Sequence, residues 1–489
     1  GKALTNGDND KVSLKTINGK KYAFDDEGKM LYGWVDDASA ERLDNTDGDG
    51  FKDADYYFGG EDDGAMTTGW LQIDITYDEA INDDYKYTAA AFNDDEDQTR
   101  WFYFKSNGKM IKSDEGDRTK DKTINGKKYA FDQHGAMVAE WSLDSDDEKE
   151  ASDNVGHYAA STNQTVASVS EAWQGKGNYA QYSKAWKYFN SVEDGARVSK
   201  GWFKVVPAEY LNEGKYDDDE DFWYYADGSG NLYAGEFKTI KGKKYAFRND
   251  GRMLTGLKFI LEDDDNDNLT VYADDDTPNF DNEEDFLDNA VAFYEPGGYK
   301  CYYFGGGDDG AMRTNKTTVE IDGENHNFYF EKSGSKKGAG VTGEKDDKLY
   351  QSGMLLKADS DDKYVVVDKT TKYTTNAAGE KVLDYVTYNK LDDAKEFMAQ
   401  DDVLESNTPV DAEGKIDLGN NNKKKAEDIS EAYTIGYKAY ASSDMTTHEY
   451  FLVNTSGKVI DNRGKNKDGS DYYYVTDNSG KITNIYVED

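Results

Sequence analysis

The chain has a single cysteine, Cys301, so it can form no intramolecular disulfide and no cysteine-based zinc site. Proline is nearly as scarce, 4 residues against 38 tyrosines in a chain of 489. Basic residues are outnumbered: 58 Lys and Arg face 99 Asp and Glu, a formal net charge of −41. Such a field repels nucleic acid and anionic membrane surfaces. It leaves cations, neutral sugars, or anionic polymers bridged by a metal as partners. No window reaches the roughly 18 apolar residues needed for a membrane-spanning helix. The four histidines, His134, His157, His326 and His448, are scattered, with no His-Glu-x-x-His pairing. No G-x-S-x-G elbow, P-loop or dinucleotide fingerprint stands in a strand-to-helix context.

What the chain has in abundance is repetition. TINGKKYAFDDEGKMLYGW, Thr16 to Trp34, returns as TINGKKYAFDQHGAMVAEW from Thr123 to Trp141 and as TIKGKKYAFRNDGRMLTGL from Thr239 to Leu257. An internal repeat of this size predicts stacked supersecondary units, with no single central core. In the first copy Tyr22 and Phe24 alternate with Lys21 and Ala23, the period of a half-buried strand. Asp25, Asp26 and Glu27 lead to Gly28, which supplies the positive φ of a tight turn. Met30 and Tyr32 then alternate on a return strand that Gly33-Trp34 closes. Weaker copies follow the same template. Tyr56-Tyr57-Phe58 precedes Gly64-Ala65-Met66 and Gly69-Trp70, and Tyr302-Tyr303-Phe304 precedes Gly310-Ala311-Met312. Near the end, Tyr472-Tyr473-Tyr474 precedes Gly480. One hairpin is marginal in water, so the Tyr, Phe and Met set is first of all the spine of the stack.

NGKKYxF, a Gly-x-Met return and a following Gly-Trp together resemble the bacterial cell-wall-binding repeat family. That family includes choline-binding modules, glucan-binding repeats of glucosyltransferases and the repetitive C-terminal regions of large clostridial toxins. The resemblance implies a solenoid of β-hairpins, ligands held in shallow sites between consecutive hairpins, and a non-enzymatic surface role. It also implies choline or carbohydrate as ligand. The chain departs from the family where paired aromatics stand, with Ala23, Ala130 and Ala246 at the second position. Lys21, Lys128 and Lys244 occupy the place of a Trp in the choline-binding branch. Both departures weigh against choline and toward sugar stacking or unoccupied joints.

The expected fold is all-β with minor α: an elongated solenoid of stacked β-hairpin repeats carrying acidic loop insertions and short helices. Residues 1–142 and 185–356 are expected to hold hairpin repeats with acidic insertions. Residues 143–184 read as a partly helical insertion, and 357–489 as divergent repeats with a helical insertion. Leu391, Ala394, Phe397 and Met398 share one helical face, while around Ala172, Trp173, Tyr179, Tyr182 and Trp186 the spacing is less regular and Gly175 and Gly177 argue for a break. Within the insertions, Asn45, Asp47, Asp49, Asp53 and Asp55 alternate around Gly50, as oxygen ligands do in a Ca²⁺ loop. Tyr56 stands where the bidentate Glu of such a loop belongs. Asp263, Asp265 and Asp267 form a weaker run, with Asn268 in the glycine place. Ca²⁺ is the one cofactor this spacing admits, against the plainer reading of acidic turns.

Two functions compete. The first is a non-enzymatic extracellular surface protein, on a Gram-positive bacterium, holding to cell-wall polymer or other polysaccharide. Trp34, Trp70, Trp141 and Trp202, with Tyr57, Tyr224 and Tyr303, are the candidate ligand-binding aromatics, since pyranose faces pack on flat rings. The second is a surface fibre or stalk that self-assembles end to end, with calcium as a candidate requirement. An enzyme is not expected, because a glycosidase carboxylate pair needs a deep apolar cleft that stacked hairpins do not readily supply. The polar opening before the first repeat reads as the start of an excised or mature piece of a secreted protein.

Overall fold

The computed structural model describes residues 2–43, 50–75, 98–114, 117, 119–143, 179–208, 211–263, 268–272 and 280–489. The protein is mostly β, in antiparallel sheets of two to five strands with few helices. It divides into two compact units. One comprises Gly1–Lys238, Ala246–Met253 and Asp263–Leu269, and the other Thr239–Tyr245, Leu254–Glu262 and Thr270–Asp489.

Two kinds of hairpin recur along the chain. The short kind pairs Lys15–Ile17 with Lys20–Tyr22, Thr119–Ile124 with Lys127–Asp132, and Asn315–Ile321 with Glu324–Phe330. Its two-residue turns are Asn18-Gly19 (φ 50° and 82°), Asn125-Gly126 (48° and 80°) and Asp322-Gly323 (50° and 78°). Positive φ at both central residues gives the backbone twist that matches twisted strands, which is why Asn-Gly recurs here.

The second kind corrects the expected unit. Gly-Trp does not close the hairpin before it; the Trp strand pairs forward with the next aromatic strand. Trp34 stands opposite Tyr57, Trp70 opposite Tyr103, Trp141 opposite Tyr188, Trp202 opposite Tyr225, and Leu257 opposite Tyr303. In sequence, the insertions therefore fall between the two paired strands of these hairpins. The Gly-x-Met return contributes only a one-residue bridge, Phe24 to Met30, Phe104 to Met110 or Phe131 to Met137. Left-handed glycines then redirect the chain into the next hairpin, as at Gly33 (φ 66°) and Gly69 (φ 78°). The acidic turns are closed by their own side chains. Asp132 Oδ1 accepts from the His134 and Ala136 amides, Asp227 from Ser229 and Asn231, and Asp477 from Ser479 and Lys481.

Consecutive hairpins are joined in a repeated way. The Met66 amide donates to the Lys21 carbonyl (2.9 Å), Met110 to Asp55, Met137 to Trp101, and Arg197 to Lys128 (2.8 Å each). In the second unit Met312 donates to Lys244 (2.8 Å) and Gly340 to Cys301 (2.7 Å). Beside five of these six bonds, the return-strand side chain lies on the turn glycine of a following hairpin. A Cβ placed on Gly64 would sit 2.4 Å from Met30 Sδ, on Gly108 2.3 Å from Met66 Sδ, and on Gly195 2.3 Å from Met137 Sδ. Only glycine lets the two backbones approach so closely.

Beyond residue 357 the strands lengthen. Lys381–Leu391, Tyr364–Thr375 and Thr446–Asn454 form one sheet. Val403–Glu405, Ile429–Ile435, Ile482–Glu488, Tyr472–Thr476 and Lys465–Lys467 form another. The glycine joint persists here, with Leu355 on Gly457 and Val459 on Gly480. Helix Ala394–Met398, capped by Asp393 Oδ1 on the Glu396 amide, buries Ala394 and Phe397. Leu391, expected on that helical face, ends a strand instead. Helix Tyr179–Lys184 buries Tyr182, whereas Trp186 stands on the strand Trp186–Tyr188, and Ala172 and Trp173 lie outside the described residues. Helix Glu283–Gly297 was not legible as an element; Asn282 caps it, acidic residues fill its first turn, and Phe286, Leu287 and Ala290 face the core.

His448, on Thr446–Asn454, has Nδ1 3.0 Å from both Asp368 carboxylate oxygens and 3.2 Å from Thr370 Oγ1. The hydrogen bond to Asp368 raises its pKa above the ordinary histidine value; Asp402 adds to the shift, while burial and Lys372 oppose it. A raised folded-state pKa gives stabilisation that is complete below the unfolded value and lost as pH rises through the folded one. In urea unfolding, wild type should exceed His448→Gln by more at about pH 5.5 than at about pH 8.5. A pH-independent difference would remove the Asp368 pair from the account.

Candidate functional site

The seven aromatic candidates separate by exposure. Trp34 is 3 % exposed, with Tyr57 and Phe102 at 4.8 and 5.0 Å between ring centroids. Trp141 is buried among Tyr188, Phe203 and Tyr224, and its Nε1 donates to the Val206 carbonyl at 2.8 Å. Tyr224 is fully buried. These three rings are core, closed to a ligand by the insertion segments and neighbouring hairpins packed over them. Tyr57 is half-buried against Trp34, and burial raises its hydroxyl pKa.

Tyr303 is half-buried, stacked near Phe330 at 6.3 Å, and burial raises its pKa. It lines a cavity of about 550 Å³ with Leu257, Phe280, Val319 and Ile321, where Glu320 and Asp322 are the charged residues. Leu257 stands in the Trp position of this hairpin, so the cavity is lined by the rings of Tyr303 and Phe280 and by aliphatic side chains, without a tryptophan.

Trp70 and Trp202 keep accessible ring surface. Around Trp70 stand Tyr129 at 4.9 Å, Tyr103 at 5.1 Å, Phe131 at 5.9 Å and Trp101 at 6.0 Å. Trp70, Trp101 and Tyr103 come from one hairpin, Gly69–Ile75 with Gln98–Phe104, and Tyr129 and Phe131 from the short hairpin that follows. Gln72 pairs with Trp101 across that first sheet. Both donate to one carboxylate, Gln72 Nε2 to Glu193 Oε2 at 3.1 Å and Trp101 Nε1 to the same oxygen at 3.4 Å. The site is thus an aromatic face bordered by an amide and a carboxylate. Aromatic rings stack on apolar ligand faces, and the polar edge can exchange hydrogen bonds with hydroxyls.

Around Trp202 the set is Tyr225 at 5.1 Å, Phe247 at 5.8 Å and Trp223 at 6.4 Å. Trp223 matches Trp101 in register, and its buried Nε1 has no hydrogen-bond partner among the described residues. Trp101, Tyr103, Tyr129, Gln72 and Glu193 were not among the sequence candidates. Period-2 alternation from Trp70 picks out Gln72, but only the cross-strand register brings Trp101 and Tyr103 beside them. Glu193 is 121 residues from Gln72, beyond any local signal.

Of the metal candidates, Asp53 is exposed at the end of the 3-10 turn Gly50–Asp53. Asp55 is engaged by the Asp37 amide (3.0 Å) and by Lys112 (3.2 Å). Asn45, Asp47, Asp49, Asp265 and Asp267 lie outside the described residues, as does the side chain of Asp263. Among the described residues, no group of three or more His, Cys, Asp or Glu could hold a metal ion. Cys301 is buried, and burial pushes its thiol pKa well above the ordinary value, so it is an inert core residue. Among the described residues, no helix is long and apolar enough to cross a membrane.

No protein-family model matches the chain, and no curated protein does. Solved structures do. Choline binding protein F from Streptococcus pneumoniae is similar over 76 % of this chain and 93 % of its own, at 17 % identity and a TM-score of 0.33. The modular autolysin LytC from the same organism is similar over 72 % of this chain and 50 % of its own, at 17 % identity and a TM-score of 0.29. An alternansucrase in complex with isomaltononaose covers 71 % of this chain and 18 % of its own, at 16 % identity and a TM-score of 0.18. The structures to which this chain is similar are thus a choline binding protein, a modular autolysin and an alternansucrase.

Proposed function

We propose that the chain is a non-enzymatic extracellular surface protein that holds to a cell-wall polymer or other polysaccharide through half-exposed aromatic joints. Within each unit the hairpins run on as a solenoid, and the joints at Trp70 and Trp202 bear the ligand. One observation carries this reading: Trp70 presents accessible ring surface between two hairpins, edged by Gln72 and Glu193. A pyranose ring stacks its axial C–H face on an indole without needing charge, and its hydroxyls suit a mixed amide and carboxylate border. Glu193 also permits a cationic ligand by reinforcing the ring quadrupoles, so ligand charge is the property to be measured.

The test is cosedimentation of the purified protein with purified Gram-positive cell walls, competed by soluble neutral glycans and by choline. The expected result is saturable pelleting that survives about 0.5 M salt, where surface charge attraction is largely screened, and is reversed by a neutral glycan. Pelleting no greater than that of an acidic control protein would contradict the proposal. Reversal by choline alone would replace the sugar with a quaternary ammonium.

A further inference from the structure

Six of the nine methionines stand in the Gly-x-Met position. Five are seated on the turn glycine of a following hairpin: Met30 on Gly64, Met66 on Gly108, Met110 on Gly135, Met137 on Gly195 and Met312 on Gly338. In each, Sδ lies 2.3 to 2.5 Å from where a Cβ on that glycine would be. At other joints the same seat holds leucine, Leu232 on Gly251 and Leu355 on Gly457, so the packing does not itself require sulfur. The five residues differ in exposure. Met110 and Met137 are 5 % and 2 % exposed, whereas Met30, Met66 and Met312 are half-buried.

We infer that Met30, Met66 and Met312 are oxidative modification sites, at which a peroxide converts the thioether to a sulfoxide and loosens the joint between neighbouring hairpins. The sulfur lone pair attacks one peroxide oxygen, and the S–O bond forms as the O–O bond breaks. The departing hydroxide takes up the proton shed by the transferred oxygen and leaves as water. The thioether loses two electrons and the peroxide gains them. The product carries a strong acceptor into a seat whose glycine amides are already donated, Gly64 to the Gly60 carbonyl, Gly108 to Lys105 and Gly338 to Glu331. An acceptor without a donor is costly in an apolar contact, so the sulfoxide turns toward water and the side chain leaves its glycine.

Met445 supplies an internal control: it is 39 % exposed and, among the described glycine contacts, is seated on none. The experiment treats the full chain with dilute hydrogen peroxide, maps sulfoxides by peptide mass spectrometry and records thermal unfolding. The comparison is a Met30→Leu, Met66→Leu, Met312→Leu variant, with leucine chosen because the chain already uses it at this joint. Met445, Met30, Met66 and Met312 should oxidise well before Met110 and Met137. The Tm of the wild type should fall by on the order of 5 °C and recover on treatment with methionine sulfoxide reductases. The triple variant, still oxidised at Met445, should keep its Tm. Three results would overturn the inference: equal oxidation rates at all joint methionines, an equal fall in wild type and variant, or an unchanged Tm with all three sites fully oxidised. Reversal by the reductases is read on the wild type alone, so the inference stays testable if the variant folds poorly.

Discussion

Alanine at Gly108 is expected to destabilise the protein by about 3 kcal/mol, and the same change at Gly126 by about 1 kcal/mol. The two glycines have nearly the same backbone, φ 84° and 80°, so the cost of forcing an L side chain into the left-handed region is common to both. They differ in what the new methyl meets. At Gly126, in a two-residue hairpin turn, nothing lies within 4 Å. At Gly108 the Cβ would fall 2.3 Å from Met66 Sδ and 3.1 Å from Tyr56 Cδ1. The excess at Gly108 therefore measures the joint between hairpins, free of local backbone preference. Equilibrium urea unfolding of the two single variants reads it directly. A Gly108→Ala, Met66→Ala double variant should recover most of the steric part, with a coupling energy above about 1 kcal/mol. Equal costs at Gly108 and Gly126 would mean that the methionine seats are incidental contacts.

Trp141→Ala should cost about 4 kcal/mol, and Trp34→Ala a similar amount, because each empties a closed aromatic cluster. Trp141 loses contact with Tyr188, Phe203 and Tyr224 together, and its removal leaves the Val206 carbonyl without its indole donor. Trp34 holds Phe51, from the first insertion, against Phe102 of the next hairpin, so its loss also releases the insertion. Chemical denaturation monitored by far-UV circular dichroism checks both. A cost below about 1 kcal/mol, the size expected of a surface residue, would return these rings to the ligand-binding set.

The hairpin character was legible because its signals are local. Asn-Gly turns, alternation around Tyr22 and Phe24, and a turn glycine before each return-strand methionine all act within a few residues. The pairing partner of each tryptophan was not legible, because Trp34 can close one hairpin or open the next with the same spacing. Positive φ at Gly33 turns the chain into the next hairpin, and a sequence shows only that a glycine is there. Exposure followed the same logic. Trp34 and Trp70 occupy equivalent strand positions, yet Trp34 is buried, with Phe51 and Phe102 packed against it, while Trp70 is only half-buried. Helix Glu283–Gly297 was hidden by its charge. Its capping Asn282 and acidic first turn sit in a run of carboxylates that reads equally well as a loop, and only Phe286, Leu287 and Ala290 mark the buried face. The reach of Glu193 to Gln72 and Trp101 depends on the length and pairing of every hairpin between them, which no local pattern encodes.

The most direct measurement places the four tryptophans side by side. Trp34→Ala, Trp141→Ala, Trp70→Ala and Trp202→Ala variants of the full chain would each be assayed for thermal stability and for cosedimentation with cell walls. The account predicts a division: the first two lose about 4 kcal/mol of stability, and the half-buried last two lose clearly less and keep the fold. Wall affinity should fall at least about tenfold in Trp70→Ala or Trp202→Ala, the loss expected when a central stacking ring is removed. Wild-type wall affinity in the Trp70→Ala, Trp202→Ala double variant, with its fold intact, would contradict the assignment of the half-exposed joints as the binding surface.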